Sequence, residues 1–387
     1  MHIAIFTDSF YPEMNGISYV LISHLKYLTK NFRVTLICPR YGGKYKELSM
    51  DNLTIYRLNS FALPTNKHVH TSFPRRCTIE NIFKEQPDIV HVHTPGGVGL
   101  QGASYAKRHG KKLVLTFHTL ITEQLGYLSI LHQLGFNKLK HNVKRAIAWK
   151  LLQYIYNKGD LIIAPTNIIK KTLEEHNVLS PVKVIYNGIE LKDYTPKQEY
   201  NKKNRIVTFG RISYEKNIDV IINALKLTED AHLNKDTHLN IHLDIIGIGP
   251  DEKRLKNLTQ KLGLGKKVQF LGFFERNKLN AAIKEHDAVV FASTMDTYCL
   301  SLIESMALGM PCIGADSYSF SELIKDKKTG FKVKPNDSKS MAQYIKMLVG
   351  DQGLREKLGR NARIEAEKHD IKKIMKEMTA IYCKLLE

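Results

Sequence analysis

Two carboxylates flank a predicted helix start in residues 296–304, which read DTYCLSLIE. The strand-like run AVVFAS ends just before them, and the helical run SLIESMALGMP begins among them. The first N–H groups of a helix have no partner inside it, so Cys299 and Leu300 can present such groups to a phosphate. Asp296 can then reach hydroxyls beside that phosphate, and Glu304 can accept two hydrogen bonds from a vicinal diol such as a ribose. The alternative is a capping acid followed by a solvated glutamate.

Two cations follow another predicted strand, in FGRISYEKNID. The strand ends at Gly210, Arg211 comes next, and Lys216 lies five residues later near a helix start. Cations beside a helix N-terminus can bind an anion as strongly charged as a diphosphate. We favour such a site over a pair of solvated surface cations, because both residues lie at the predicted carboxyl end of a strand.

Single residues at other strand ends fit the same pattern less specifically. Gly16, in YPEMNGISYV, and Gly247, in DIIGIGPDEKRL, let backbone N–H groups approach a phosphate, or they only make ordinary turns. His118 follows the run KLVLTF and can hydrogen-bond a sugar hydroxyl or a phosphate. It can equally be a satisfied structural histidine, as can His91 and His93.

The elements that carry these residues are short apolar runs alternating with helical patterns. Near-continuous apolar runs of four to six residues are typical of parallel strands buried on both faces. The series restarts near residue 205, after a polar stretch. We therefore predict an α/β chain with two doubly wound, Rossmann-like parallel-sheet domains facing across a cleft. Their expected bounds are 1–190 and 205–365, with a linker over 191–204.

Composition narrows the classes of function. The 387 residues carry 58 Lys and Arg against 38 Asp and Glu, a formal charge of +20, which attracts polyanions. Apolar runs are too short to cross a bilayer, and the chain starts without a signal peptide pattern. Five cysteines without a CxxC pair favour a reducing cytosol and argue against structural zinc. No nucleic-acid-binding module appears, so we expect no nucleic acid partner.

Taken together and in order, several blocks resemble the motifs of the retaining glycosyltransferases of family 4, which have the GT-B fold. The resemblance covers nearly the whole chain. The blocks are FTDSFYPEMNGISYV, PDIVHVHTPGGVGLQG, LTFHTL, VIYNGIE, FGRISYEKNID and DTYCLSLIESMALGMP.

The resemblance implies roles for the matching residues. Arg211 and Lys216 would neutralise the diphosphate of a nucleotide-sugar donor, so that no metal and no other cofactor is expected. Glu304 would hold the ribose, His118 would contact the transferred sugar, and Gly16 would offer its amide to the phosphates. The last helix, about 366–387, would return to the first domain.

Two positions depart from the family pattern. The first acid is usually Glu and is here Asp296, one methylene shorter, which the resemblance places beside the hydroxyls of the donor sugar. The glycine that usually follows is here Cys299, whose side chain can crowd the phosphate. Both departures bear on which sugar is accepted and on activity, so a catalytically inactive nucleotide-sugar-binding homologue stays an alternative.

A basic amphipathic pattern over residues 124–158 suggests where the acceptor, the molecule that receives the sugar, is bound. Apolar residues recur there at helical spacing, which with nearby cations and a tryptophan is typical of a helix in an anionic membrane interface. A core-packed helix with a solvated basic face is the alternative. The apolar positions are Leu139, Val143, Ala146, Ile147, Leu151 and Tyr154. The residues assigned to acceptor or membrane contact are Lys140, Lys144, Arg145 and Trp149, with Arg75 and Arg76 on a predicted loop.

This pattern is similar to the lipid glycosyltransferases of the family, such as diacylglycerol glucosyltransferases. We therefore expect transfer of a hexose, glucose from UDP-glucose, to a membrane lipid by a cytoplasmic enzyme bound peripherally to the inner face of the cell membrane. Alternatives are a soluble transferase with a saccharide or small-molecule acceptor, and a GT-B epimerase that needs no acceptor.

Overall fold

The computed structural model describes residues 1–13, 15–43, 45–63, 66–120, 141–230 and 240–387. The chain divides into two compact units. Unit 1 comprises Met1–Gly188 together with Ile371–Glu387, and unit 2 comprises Ile189–Asp370. The polar stretch 191–204, expected to be a linker, thus lies in unit 2.

Unit 1 contains a seven-stranded, wholly parallel sheet in the order β3-β2-β1-β6-β7-β8-β9. Its central strands are apolar on both faces because helices cover both sides of a parallel sheet. The strands are β1 (His2–Phe6), β2 (Arg33–Pro39), β3 (Leu53–Leu58), β6 (Ile89–Val92), β7 (Lys112–Thr116), β8 (Leu161–Ala164) and β9 (Val182–Val184). A separate antiparallel pair, β4 (Phe61–Leu63) and β5 (Asn66–Thr71), was not predicted from the sequence.

Among the described residues, six α-helices belong to unit 1. The last of them buries residues at helical spacing, Ile371, Ile374, Met375 and Met378, in the core formed with β1 and β2. The helices are α1 (Gly16–Leu28), α2 (Arg76–Ile82), α3 (Gly97–Arg108), α4 (His141–Tyr156), α5 (Asn167–Glu175) and α13 (Ile371–Leu386).

Unit 2 contains a six-stranded parallel sheet in the order β12-β11-β10-β13-β14-β15. Its strands are β10 (Arg205–Phe209), β11 (His242–Ile246), β12 (Val268–Gly272), β13 (Ala288–Phe291), β14 (Cys312–Ala315) and β15 (Gly330–Val333). Its described helices are α6 (Ile218–Asp230), α7 (Glu252–Lys261), α8 (Arg276–Lys284), α9 (Leu300–Ala307), α10 (Tyr318–Leu323), α11 (Ser338–Gly350) and α12 (Gln352–Ala366). The predicted pair of parallel-sheet α/β domains is confirmed.

Buried histidines lie together in the core of unit 1. His24 on α1 donates through Nε2 to the carbonyl oxygen of Asn187 at 3.0 Å. His91 on β6 bonds Tyr382 through Nδ1 at 2.6 Å, and its ring lies 4.1 Å, centroid to centroid, from that of His93. Burial lowers the pKa of His24 to about 4 and holds the pKa values of His91 and His93 well below their ordinary range. All three are therefore neutral at physiological pH.

This burial predicts that the protein loses stability on mild acidification. A histidine in the unfolded chain takes up a proton near pH 6.5, whereas buried His24 does so only near pH 4, so below pH 6.5 the unfolded state binds more protons than the folded state. The stability that comes from keeping His24 neutral is fully present above pH 6.5 and is lost as the pH falls toward about 4. His24 alone should lower the free energy of unfolding by about 2 kcal/mol between pH 7 and pH 5.

Thermal unfolding of the full chain at both pH values checks this, with His24→Gln as the comparison. The variant should be less stable at pH 7, because an imperfectly fitting amide replaces the ring, yet it should lose less on acidification. Equal losses in the two proteins would show that His24 does not titrate as described.

Candidate functional site

Helix α9 begins directly behind the loop that carries Asp296. Cys299 is its N-cap residue, with extended backbone (φ −84°, ψ 97°), and makes no side-chain capping hydrogen bond. Burial raises the pKa of the Cys299 thiol well above its ordinary value, so the residue is a neutral thiol. The predicted helix start at Cys299 and Leu300 is confirmed.

Lys216 and Asp296, separated by 80 residues, form an ion pair. The Lys216 Nζ donates to Oδ1 of Asp296 at 2.8 Å and to Oδ2 at 2.9 Å. Burial disfavours the charged ammonium, but the Asp296 carboxylate outweighs it and raises the pKa of Lys216. The structure therefore pairs Lys216, the residue predicted to bind the diphosphate, with Asp296, the residue predicted to bind the sugar.

The loop that carries Lys216 is fixed to the loop that carries Asp296. Asn217 adopts a left-handed backbone conformation (φ 48°). Its side-chain amide donates to the carbonyl oxygen of Ala292 and to the hydroxyl of Thr294, both at 3.2 Å. The Asn217 side chain thus links the two loops that carry the ion pair.

Gly247 has a structural reason to be glycine. A side chain there would place its Cβ 1.8 Å from the carbonyl oxygen of Gly210, which follows β10. Its φ of +145° also disfavours other residues. The chain can therefore pass close to itself where β10 and β11 end. The exposed Arg211 follows Gly210 at this carboxyl edge of the sheet. A Cβ on Gly210 would lie 3.6 Å from the Ser301 hydroxyl, so this edge borders the start of α9.

Glu304 lies one turn into α9, as predicted, with two partners that the sequence did not reveal. Its Oε1 accepts from the Tyr194 hydroxyl at 2.7 Å and from the Arg276 guanidinium at 3.0 Å. Burial raises the pKa of Glu304, and the charge and hydrogen bond of Arg276 oppose that rise. Arg276 begins a helix soon after β12, so the strand-end rule that singled out Arg211 could have found it; no sequence signal marks Tyr194.

In unit 1, Gly16 begins α1 and the loop before it is internally bonded. The Asn15 side chain accepts from the backbone N–H of Ser18 at 3.1 Å and donates to Glu13 at 3.0 Å. Glu13 in turn accepts from the Tyr41 hydroxyl at 2.9 Å. Among the described residues, a Cβ built on Gly16 meets no atom within 4 Å, so there the space beside this amide is open.

His118 follows β7 and is paired with another histidine. Its Nε2 lies 2.9 Å from the Nδ1 of His93, so that one ring donates and the other accepts. Burial lowers the pKa of His118 to about 3. A neutral imidazole in this position can exchange hydrogen bonds with a hydroxyl without carrying charge.

Those residues predicted to contact the acceptor or the membrane that the structure describes lie at the start of α2 and on α4. Arg75 lies in the loop before α2, as expected, whereas Arg76 begins the helix; both are exposed. Arg145 lies on α4; Lys140 and the side chain of Lys144 lie outside the described residues.

Trp149 corrects the sequence interpretation. Instead of lying at an interface with lipid, it is only 5% exposed and packs in the core of unit 1. Its ring stacks on His176 at 3.7 Å between centroids and faces Phe117. The predicted apolar stripe is what the helix exposes: Val143 is 44%, Ile147 47%, Leu151 57% and Tyr154 64% exposed.

Within the residues that the structure describes, no three or more His, Cys, Asp or Glu side chains are grouped so that they could hold a metal ion. No helix described by the structure combines the length and hydropathy of a membrane span.

Among curated relatives, the alpha-monoglucosyldiacylglycerol synthase of Streptococcus pneumoniae is 26% identical over 347 residues, 85% of this chain and 74% of that protein. The sulfoquinovosyl transferase SQD2 of Arabidopsis thaliana is 23% identical over 388 residues, 95% of this chain and 70% of that protein.

Solved structures show the fold. Anabaena HepE in complex with UDP superposes with a TM-score of 0.76 at 17% identity, covering 99% of this chain and 100% of that one. Sucrose-phosphate synthase from Thermosynechococcus elongatus gives 0.77 at 17% identity, covering 100% and 99%. These neighbours have the GT-B fold.

Two family models match successive halves of the chain. Residues 14–193 match the model described as Glycosyltransferase Family 4, and residues 192–365 match the one described as Glycosyl transferases group 1. With both halves matched in order and the GT-B fold present, the chain belongs to the family 4 glycosyltransferases.

Proposed function

We propose that this protein is a retaining hexosyltransferase that moves glucose from UDP-glucose, without a metal, to a lipid acceptor such as diacylglycerol at an anionic membrane surface. The observation that carries the proposal is the arrangement at the carboxyl edge of the sheet of unit 2. There Lys216 is paired with Asp296, Arg211 follows the neighbouring strand end, and Glu304 lies one turn into helix α9.

This arrangement suits a leaving diphosphate. When the bond from the sugar to the phosphate breaks, negative charge develops on the diphosphate, and preorganised cations and amides stabilise it most. Lys216 and Arg211 would supply the positive charge, the first turn of α9 would supply amides, and Asp296 would bind hydroxyls of the sugar. Retention of the anomer and independence from metal follow from the family resemblance.

A structural neighbour supports UDP-glucose as the donor. Anabaena HepE has been solved with UDP-glucose, at a TM-score of 0.75 to this chain and 18% identity. The acceptor is chosen from the relatives, since the Acholeplasma laidlawii relative, 23% identical over 407 residues, is also an alpha-monoglucosyldiacylglycerol synthase. The exposed apolar face of α4, formed by Val143, Ile147, Leu151 and Tyr154, supports contact with lipid.

Nucleotide binding tests the donor site. Without added metal, UDP at about 100 times its dissociation constant should stabilise the protein by about 2.7 kcal/mol, visible as a rise in melting temperature. Glu304→Ala should remove most of that rise, because the ribose would lose its carboxylate partner. GDP, ADP and CDP serve as competing nucleotides in the same thermal-shift assay.

Glu356→Ala is the matched control, since Glu356 lies on the surface of α12 and pairs with Arg360 rather than with site residues. It should respond to UDP as the wild type does. No response to any nucleotide, or an undiminished response in Glu304→Ala, would overturn the donor site.

Vesicle flotation tests the membrane surface. The wild type should float with phosphatidylglycerol vesicles, and the double variant Ile147→Glu/Leu151→Glu should not, because it places two charges on the apolar face of α4. Both side chains are about half exposed, so the substitutions should leave the fold intact.

Leu179→Glu gives the comparison, because Leu179 is 82% exposed elsewhere in unit 1. It should float like the wild type. The membrane proposal fails if the wild type stays in the soluble fraction or if the double variant still floats.

A further inference from the structure

Glu304 concentrates its hydrogen bonds on one of its two oxygens. The hydroxyl of Tyr194 and Nη1 of Arg276 both donate to Oε1, at 2.7 and 3.0 Å. The same Arg276 nitrogen also donates to the Tyr194 hydroxyl, and the guanidinium lies 5.5 Å from the centre of the tyrosine ring. The tyrosine oxygen thus accepts from the arginine and donates to the carboxylate, which closes a three-membered cluster.

The backbone around Tyr194 is attached to the helices on either side of that cluster. Nη1 of Arg363 donates to the carbonyl oxygen of Tyr194 at 3.0 Å and to that of Ala307, the last residue of α9, at 2.7 Å. The side-chain amide of Asn280 on α8 donates to the carbonyl oxygen of Asp193 at 3.1 Å. These hydrogen bonds hold the backbone of Tyr194 beside the end of α9.

We propose that Tyr194 is a positioning residue for the donor nucleotide: with Arg276 it binds Oε1 of Glu304 and so directs Oε2 toward the two ribose hydroxyls. This inference rests on the proposed function, in which Glu304 binds the ribose. It goes further by assigning the orientation of that carboxylate to a residue outside the helix, in the stretch that was expected to be a linker.

The physical benefit is preorganisation. An unrestrained glutamate must give up rotamer freedom each time it binds a diol, whereas one already held by Oε1 does not. Burial raises the pKa of Glu304, and the charge and hydrogen bond of Arg276 oppose that rise in favour of the ionised carboxylate. A charged carboxylate accepts hydrogen bonds from hydroxyls more strongly than a neutral acid does.

The test compares UDP with its 2′-deoxy analogue, which lacks one of the two hydroxyls, by isothermal titration calorimetry. The wild type should bind UDP about tenfold or more tightly than the analogue, since a hydrogen bond to a charged group is lost. In Tyr194→Phe the affinity for UDP should fall about tenfold, and the preference for UDP should shrink to less than about threefold. The preference is a readout that a merely structural role would leave unchanged.

Tyr200→Phe is a matched control on the same segment. Tyr200 is also buried, and its hydroxyl donates to the carbonyl oxygen of Gly309 at 2.7 Å instead of to Glu304. This variant should lose comparable stability and keep the wild-type preference for UDP. Melting temperatures of both variants without ligand show whether they are folded.

The outcomes separate this inference from the proposed function. A wild type that does not bind UDP, or binds both nucleotides equally, overturns the ribose role of Glu304 and the inference with it. A wild type that discriminates, together with a Tyr194→Phe variant that discriminates equally well, leaves the donor site standing and overturns the positioning role. An equal loss of preference in Tyr194→Phe and Tyr200→Phe also overturns it.

Discussion

The ion pair between Lys216 and Asp296 is the interaction on which the candidate site depends. An ammonium group that is largely removed from water tends to lose its proton unless an anion is near. Asp296 supplies that anion, with both oxygens within 2.9 Å of Nζ, and keeps the charge on Lys216. On the proposed function, the arriving diphosphate meets a lysine that is already charged and in place. The shorter side chain of Asp296, relative to the usual Glu, still reaches this lysine.

The rest of unit 2 fixes the positions of that ion pair and of Glu304 relative to each other. Parallel strands all end at one edge, so residues far apart in sequence meet there without long loops. The stretch before β10 joins this framework: the buried Arg355 donates to the carbonyl oxygen of Tyr200 at 2.7 Å, and Nζ of Lys197 donates to those of Lys284 and His286. A segment with the composition of a linker is thereby part of the folded unit, which is what allows Tyr194 to act on Glu304.

Sequence patterns predicted the strands and the helix start at Cys299 well, because both follow from local periodicity and end signals. They failed where two faces of one element are apolar. Helix α4 carries Trp149 and Leu152 on one side and Ile147 and Leu151 on the other, and only packing decides which side is buried. The partners of Glu304 were missed for a different reason. Tyr194 reaches it across 110 residues, and no local pattern encodes such a contact.

On the proposed function, protein cations, instead of a metal, stabilise the leaving diphosphate while a hexose passes to a lipid. This role of the cations is tested most directly by incubating the protein with UDP-glucose and with vesicles that contain diacylglycerol, in excess EDTA. The amount of glycolipid and the NMR signal of its anomeric proton are then followed. We expect an α-linked glucolipid formed at the same rate with and without EDTA, and a rate lowered about 10²–10³-fold in Lys216→Ala. Transfer that stops in EDTA, a β-linked product, or an undiminished rate in Lys216→Ala would contradict it.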